Sequence, residues 1–130
     1  MANGTIAFDT LQTSGQITGT AKSLDTDYVV NGSAKAWVNF DGTASGAAAR
    51  DSFNVSGMTD NSTGNYTVTY SANFNNTNNS PVTGAGGSGY TDRLLTIDSI
   101  TTSTVTLVEN TIDSTQDVVI CTVHTMGDLA

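Results

Sequence analysis

Three short runs decide the fold, Lys35-Ala-Trp-Val-Asn-Phe40, Arg50-Asp-Ser-Phe-Asn-Val55 and Asn65-Tyr-Thr-Val-Thr-Tyr70. Each run alternates apolar and polar side chains, and Gly, Asn, Asp or Ser residues bound each one. This period of two is typical of half-buried antiparallel strands joined by tight turns. No segment carries an apolar stripe of helical spacing and useful length. The pattern predicts an all-β fold, either an antiparallel β-sandwich or a jelly-roll-like domain.

The alternation also assigns side chains to faces. In the first run Ala36 and Val38 share one face of the strand, while Trp37 and Asn39 share the other. The last third of the chain contains further strand-like runs, of which residues 117–124 are the most continuously apolar. Strands of that kind are covered on both sides, so this run is predicted to be the central one.

A chain of 130 residues predicts one domain, with a short arm. Residues 1–30 are expected to form an N-terminal arm or edge strand, which either pairs within its own sheet or docks on a neighbouring subunit. Residues 31–130 are expected to form the sandwich. Residues 75–91 are rich in Asn and Gly and are predicted to form an exposed loop. The proposed tip of that loop consists of Asn75, Asn76, Asn78, Asn79 and Tyr90.

Composition excludes several classes of function. The net charge is −8, and the four cations are scattered along the sequence, so no basic patch exists to neutralise phosphates. Nucleic acid is therefore not expected as a partner, and an anionic membrane surface would repel the chain. No apolar run is long enough to span a bilayer. The polar surface consists mostly of hydroxyl and amide groups, which are insensitive to ionic strength.

The opening residues and the single cysteine bear on the compartment. Met1-Ala-Asn-Gly-Thr-Ile6 lacks the charged start and apolar core of a secretory signal. One cysteine, Cys121, cannot form an intramolecular disulfide. Both features predict synthesis in a cytoplasm.

The reactive side chains do not form a catalytic or metal-binding pattern. Cys121 and His124 are spaced so that a strand would place them on opposite faces, which argues against a nucleophile pair or a metal site. Asp25 and Asp27 could share one strand face, and Asp41, Asp51 and Asp60 lie near turns. Paired carboxylates of this kind could serve glycoside hydrolysis, but turn chemistry already explains aspartates beside Gly or Asn. We therefore expect no catalytic residue, no metal and no cofactor.

Aromatic residues offer two interpretations. Trp37, Phe40, Phe53 and Tyr66 are predicted to be core or subunit contacts, because a large ring in a small β-domain usually anchors packing. Alternatively, Trp37, Tyr90 and the Asn-rich loop could form a sugar-binding surface, since aromatic rings stack on sugar faces and amides bond hydroxyl groups.

Residues 35–43 and 50–70 resemble a unit found in tail-fibre and tail-fibre-like proteins of marine bacteriophages. In those proteins a KAWVNFxG run precedes an RDSFNVSSVTDNGTGDYTV run. Here the corresponding residues are Lys35-Ala-Trp-Val-Asn-Phe-Asp-Gly42 and Arg50-Asp-Ser-Phe-Asn-Val-Ser-Gly-Met-Thr-Asp-Asn-Ser-Thr-Gly-Asn-Tyr-Thr-Val68. The chain departs from the pattern at residues 75–91, where typical members continue into a further strand.

The resemblance implies a virion structural protein without catalytic residues, most simply a homotrimeric tail appendage or tail-fibre component. Its implied location is the virion, after synthesis in the bacterial cytoplasm, and its implied partners are other virion proteins and a host surface glycan. A capsid decoration, cement or head-fibre protein is the alternative. A polysaccharide depolymerase domain is a more remote one.

Overall fold

The computed structural model describes residues 10–12, 23–25, 31–87, 89, 92–110 and 115–130. The chain divides into two compact units, Met1–Ser33 and Ala34–Ala130. In the first unit, β1 (Thr10–Gln12) and β2 (Ser23–Asp25) pair antiparallel. The expectation that residues 1–30 form an arm rests largely on residues outside the described part of the chain.

The described residues of the second unit form eight strands in two four-stranded antiparallel sheets that pack against each other. The first sheet has the order β4-β3-β10-β7 and the second the order β5-β6-β9-β8. The all-β sandwich prediction is confirmed. The strands are β3 (Ala34–Asp41), β4 (Ala48–Phe53), β5 (Val55–Ser62), β6 (Asn65–Tyr70), β7 (Ser80–Gly86), β8 (Leu94–Ile100), β9 (Thr104–Asn110) and β10 (Ile120–Met126).

The core lies between the four central strands. β3 and β10 face it from the first sheet, and β6 and β9 face it from the second, each with every second residue buried. β10 pairs with both β3 and β7, which confirms its predicted central position. The buried side chains of these strands are Ala36, Val38, Phe40, Tyr66, Val68, Tyr70, Val105, Leu107, Glu109, Cys121, Val123 and Thr125.

Aromatic rings join the two sheets. Phe40 of the first sheet meets Tyr66 of the second edge-to-face, with ring centroids 5.1 Å apart. Near the other end of β6, Tyr70 meets Phe74 in the same manner at 4.9 Å, and its hydroxyl lies 3.0 Å from Oγ1 of Thr125. Such pairs contribute about 0.5–1.5 kcal/mol beyond the burial of their area. Both rings of the first pair, Phe40 and Tyr66, were predicted as core or subunit contacts, and both are fully buried.

Gly42 is required where the chain leaves β3. Its backbone N–H donates to the carbonyl of Val118 over 2.8 Å, and the ring of Tyr66 packs directly against it. A Cβ at this position would lie 2.8 Å from that carbonyl oxygen and would collide with the tyrosine hydroxyl. Packing against Tyr66 and Val118 is therefore what requires glycine at this position.

A corner at Asn54 links the two sheets. β4 ends at Phe53 in the first sheet and β5 begins at Val55 in the second, so a single residue makes the change of direction. Asn54 has a φ of 54°, in the left-handed region that Asn tolerates better than most residues. Its side chain donates to the carbonyls of Lys35 and Ala72, and its Oδ1 accepts from the N–H of Ala72.

The predicted loop at residues 75–91 requires correction. Ser80–Gly86 forms strand β7, paired along its length with β10, and both Pro81 within the strand and Asn79 before it are buried. Asn79 packs against Gly127 and its amide donates to the carbonyls of Asn76 and Thr101. Pairing with an open strand of the first sheet outweighs the loop-like composition of this segment, whose glycines fit a strand that lies close to a neighbour.

Candidate functional site

Four side chains form one row on the outward face of the first sheet. Register places Phe53 opposite Trp37, Trp37 opposite His124, and His124 opposite Val82, so the row crosses β4, β3, β10 and β7 in order. We call these four residues the aromatic row. Neighbouring strands are about 4.8 Å apart, so the row extends for about 14 Å at right angles to the strands.

The row is open to solvent in the sandwich unit. Phe53 and Val82 are each 55% exposed, His124 is exposed, and Trp37 is half-buried. The Trp37 and His124 rings stack, with centroids 6.5 Å apart and planes 21° from parallel. Large apolar side chains that remain exposed in a contiguous group commonly mark a contact surface.

Polar side chains lie beside the row, two residues away along each strand on the same face. Asn39 of β3 lies opposite Asp51 of β4 and opposite Thr122 of β10. Thr122 in turn pairs with Gly84 of β7, where an added Cβ would lie 2.8 Å from the threonine Oγ1. Because Gly84 has no side chain, the sheet surface beside His124 and Val82 forms a shallow depression. Hydroxyl, amide and carboxylate groups lie near it.

The elements behind the row hold it in place. A bulge in β4 falls at Arg50, whose guanidinium donates to Asn39 Oδ1 at 3.2 Å and to the carbonyls of Phe40 and Val119 at 2.8 and 2.6 Å. It also pairs with Asp41 at 2.8 Å. These bonds fasten the edge strand to β3, and the corner at Asn54 fixes the end that carries Phe53.

The carboxylate of Asp41 is committed to local structure. Its Oδ1 accepts from the hydroxyl and backbone N–H of Thr43 at 2.6 and 3.0 Å, and its Oδ2 accepts from Arg50. The hydrogen bonds from Thr43, supported by the charge of Arg50, hold the pKa of Asp41 below its ordinary value. The role of this residue is to close the turn after β3, as turn chemistry predicts.

A buried polar cluster closes one end of the sandwich. Glu109 is fully buried and accepts from Arg93 Nη1 at 3.0 Å and from the backbone N–H of Gln116 at 2.9 Å. Asp117 accepts from the Tyr66 hydroxyl at 2.9 Å and from the N–H of Gly64 at 2.8 Å. Burial, and then the bond to Asp117, raises the pKa of Tyr66. The cluster binds the segment before β10 to the β5–β6 turn, which is a structural role.

Cys121 and His124 lie on opposite faces, as their spacing predicts. Cys121 is fully buried with Sγ 3.5 Å from the carbonyl of Val118, whereas His124 points outward. Burial raises the pKa of the Cys121 thiol to about 12, so the thiolate needed for nucleophilic attack is suppressed. Among the described residues no group of three or more His, Cys, Asp or Glu side chains could hold a metal ion.

The other predicted site residues fall into three groups. Trp37 and Phe53, predicted as core or subunit contacts, lie in the aromatic row and not in the core, because their strand positions face outward. Asn75, Asn76 and Asn78 are exposed, whereas Asn79, assigned to the same tip, is buried. Tyr90 lies outside the described residues.

The grouping of His124 and Val82 with Trp37 and Phe53 was not predicted from the sequence. Alternation alone places each of them on an outward face, but only the pairing register aligns the four strands. The signal that could have suggested the row is that Trp37 and His124 both face outward in the two runs that the sequence predicts as strands, residues 35–40 and 117–124.

No protein-family model matches the chain, and neither a curated protein nor a solved structure is significantly similar to it. Within the described residues, no helix has both the length and the apolar character required to cross a bilayer.

Proposed function

We propose that this chain is a structural protein of a bacteriophage virion, a subunit of a tail appendage or tail fibre that assembles on the particle without turnover. The observation that carries the proposal is where the residues that resemble the tail-fibre unit lie in the fold. Residues 35–43 and 50–70 form β3, β4, β5 and β6 with the corner between them, so the stretch contributes strands to both sheets.

The exposed edge of the sandwich supports an assembly role. All six residues of β4 are exposed, and β4 ends the first sheet in the described part of the chain. An edge strand offers unpaired backbone groups to another chain. We propose a homotrimer, as the resemblance implies, because association adds burial to a domain with a small core. In this proposal the subunits meet through the backbone edge of β4, and the outward side chain of Phe53 stays on the face of the sheet.

Quantitative mass spectrometry of purified virions tests the proposal. A tail component should be present in few copies relative to the major capsid protein. A signal at capsid-like abundance would refute the tail assignment and leave the capsid decoration alternative. Absence from the virions would refute both.

Light scattering on the purified chain tests the assembly state separately. The expected mass is three times the 13.4 kDa of one chain. A monomeric mass that persists as the protein concentration is raised would contradict the trimer without bearing on the virion assignment.

A further inference from the structure

We propose that the aromatic row binds a neutral oligosaccharide chain laid across the four strands of the first sheet. The inference rests on the proposed function for its biological setting, a host-facing surface, and on the sheet for its chemistry. It differs from the sugar-binding surface expected from sequence, because Trp37 is combined with Phe53, His124 and Val82 of three other strands and not with Tyr90 and the asparagines of residues 75–79.

The shape of the row fits an elongated ligand. Its four side chains lie in one line about 14 Å long, with successive positions separated by the distance between strands. That separation is comparable with the repeat of a pyranose chain. Phe53, Trp37 and His124 offer ring surfaces, and the apolar C–H face of a sugar packs on such a surface.

The border of the row supplies the polar half of sugar recognition. The same face of the sheet carries Asn39, Asp51 and Thr122, each two residues along its strand from a member of the row. An amide both donates and accepts, a carboxylate accepts, and a hydroxyl does both, so together they match the hydroxyl groups of a sugar. Gly84 and Gly86 keep β7 free of side chains beside them, and a Cβ at Gly86 would meet nothing within 4 Å.

Charge favours a neutral glycan over an anionic one. The chain carries a net charge of −8, and Asp51 adds a carboxylate to the border itself. Arg50, the cation of β4, is already engaged by Asn39, Asp41 and two backbone carbonyls. Polysaccharides rich in sialic or uronic acid would meet repulsion at this surface.

The width of the row argues against a protein partner. A stable protein interface buries about 20–30 residues on each side. The aromatic row is one residue wide, and the polar side chains of Asn39, Asp51 and Thr122 lie along one side of it. A narrow apolar line with polar groups alongside is better matched to a chain of sugars than to the broad surface of a second protein.

Tryptophan fluorescence gives a direct readout, because Trp37 is the only tryptophan of the chain. The full chain is titrated with neutral tri- to hexasaccharides of glucose, galactose, mannose and N-acetylglucosamine, and with sialylated and uronic acid oligosaccharides. We expect a saturable change in emission with at least one neutral series. Phe53→Ala and His124→Ala should each weaken that binding by about tenfold, since each removes one stacking surface.

Leu94→Ala is the matched control. Leu94 is 60% exposed and lies on β8 of the second sheet, outside the row. The Leu94→Ala variant should bind the same oligosaccharide as tightly as the unaltered chain. Trp37→Ala, followed by calorimetry, should lose binding, and Trp37→Phe should recover part of it. Circular dichroism on each variant separates lost binding from lost folding.

Four results would overturn the proposal. They are the absence of any response to the neutral series, tighter binding of an anionic series, equal loss of binding in Leu94→Ala, and conversion of an oligomer to monomers by Phe53→Ala. The last would identify the row as an interface between copies of the chain.

Failure of this inference and failure of the proposed function are distinguishable. A protein that is present in virions but binds none of the neutral oligosaccharides refutes the inference alone. A protein that binds them but is absent from virions refutes the virion assignment alone.

Discussion

The two faces of the first sheet are built from the same strands and differ in what fixes them. On β3, Ala36, Val38 and Phe40 are buried against the second sheet, while Trp37 and Asn39 between them face outward. On β10, Cys121 and Val123 are buried and His124 is exposed. Packing determines the inner face, so its substitutions should cost stability. The outer face is not needed to close the sandwich, so its aromatic side chains are available for contact.

The largest expected effect separates two phenylalanines on opposite faces. Phe40→Ala removes a fully buried ring that packs on Tyr66, and should lower the free energy of unfolding by about 3–5 kcal/mol. Phe53→Ala makes the same chemical change on the outer face and should cost about 0.5 kcal/mol. Urea unfolding followed by circular dichroism measures both. Equal losses of stability would contradict the claim that the inner face, and not the outer face, stabilises the sandwich.

The corner at Asn54 should show the next largest effect, because it sets where β4 leaves the first sheet. Asn54→Ala places a less tolerant residue at a φ of 54° and removes the side-chain bonds to Lys35 and Ala72, so we expect a loss of about 2–3 kcal/mol. Asn54→Gly keeps the conformation and loses only the bonds, and should cost about 1–2 kcal/mol. Thermal unfolding ranks the variants, and a glycine variant less stable than the alanine one would contradict this account.

Alkaline pH should destabilise the inner face. Burial raises the pKa of Cys121 from 9.0 to about 12, and burial also raises the pKa values of Tyr66 and Tyr70 above 10.0. The folded state therefore holds protons that the unfolded state releases, so stability is complete below pH 9 and falls as the pH rises toward 12.

A cysteine variant isolates the first part of that pH dependence. The slope from one such group approaches about 1.4 kcal/mol per pH unit. Between pH 9 and pH 10, Cys121→Ala should flatten the dependence, whatever stability it loses at neutral pH. Urea unfolding at a series of pH values measures the slope. An unchanged slope would show that the thiol does not titrate as a buried group.

A small effect on stability is also expected at the centre of the outer face. Trp37→Ala removes cross-strand contacts with Phe53 and His124, which contribute about 1 kcal/mol or less to stability. Urea unfolding followed by circular dichroism checks this value, since the variant lacks tryptophan. A loss comparable to that of Phe40→Ala would place Trp37 among the residues that stabilise the fold, and would contradict the view that the outer face contributes little to stability.

Much of the fold could be predicted from local pattern, because the period of two is written into each strand. The alternation of Ala36, Trp37 and Val38 assigns both faces of β3, and the apolar run around Cys121 indicates a central strand. Segment 75–91 could not be predicted in this way. Its Asn, Gly and Ser residues favour turns, and only the open side of β10 makes Ser80–Gly86 a strand.

The site was less predictable than the fold, because it depends on register between distant strands. Trp37, His124 and Val82 are separated in sequence, and a shift of one residue in any pairing would remove them from a common row. Phe53 was expected inside because aromatic residues usually pack. Its strand lies at the edge of the sheet, where all six residues stay exposed, and this tertiary position outweighs the preference of the residue.

Thiol labelling tests the difference between the two faces most directly, because Cys121 is the only cysteine of the chain. We expect a maleimide to leave Cys121 of the folded protein unmodified until urea unfolds it. In a Cys121→Ala background, His124→Cys should react in the folded state at a rate near that of the unfolded chain. Rapid modification of native Cys121, together with a protected cysteine at position 124, would contradict the assignment of inner and outer faces.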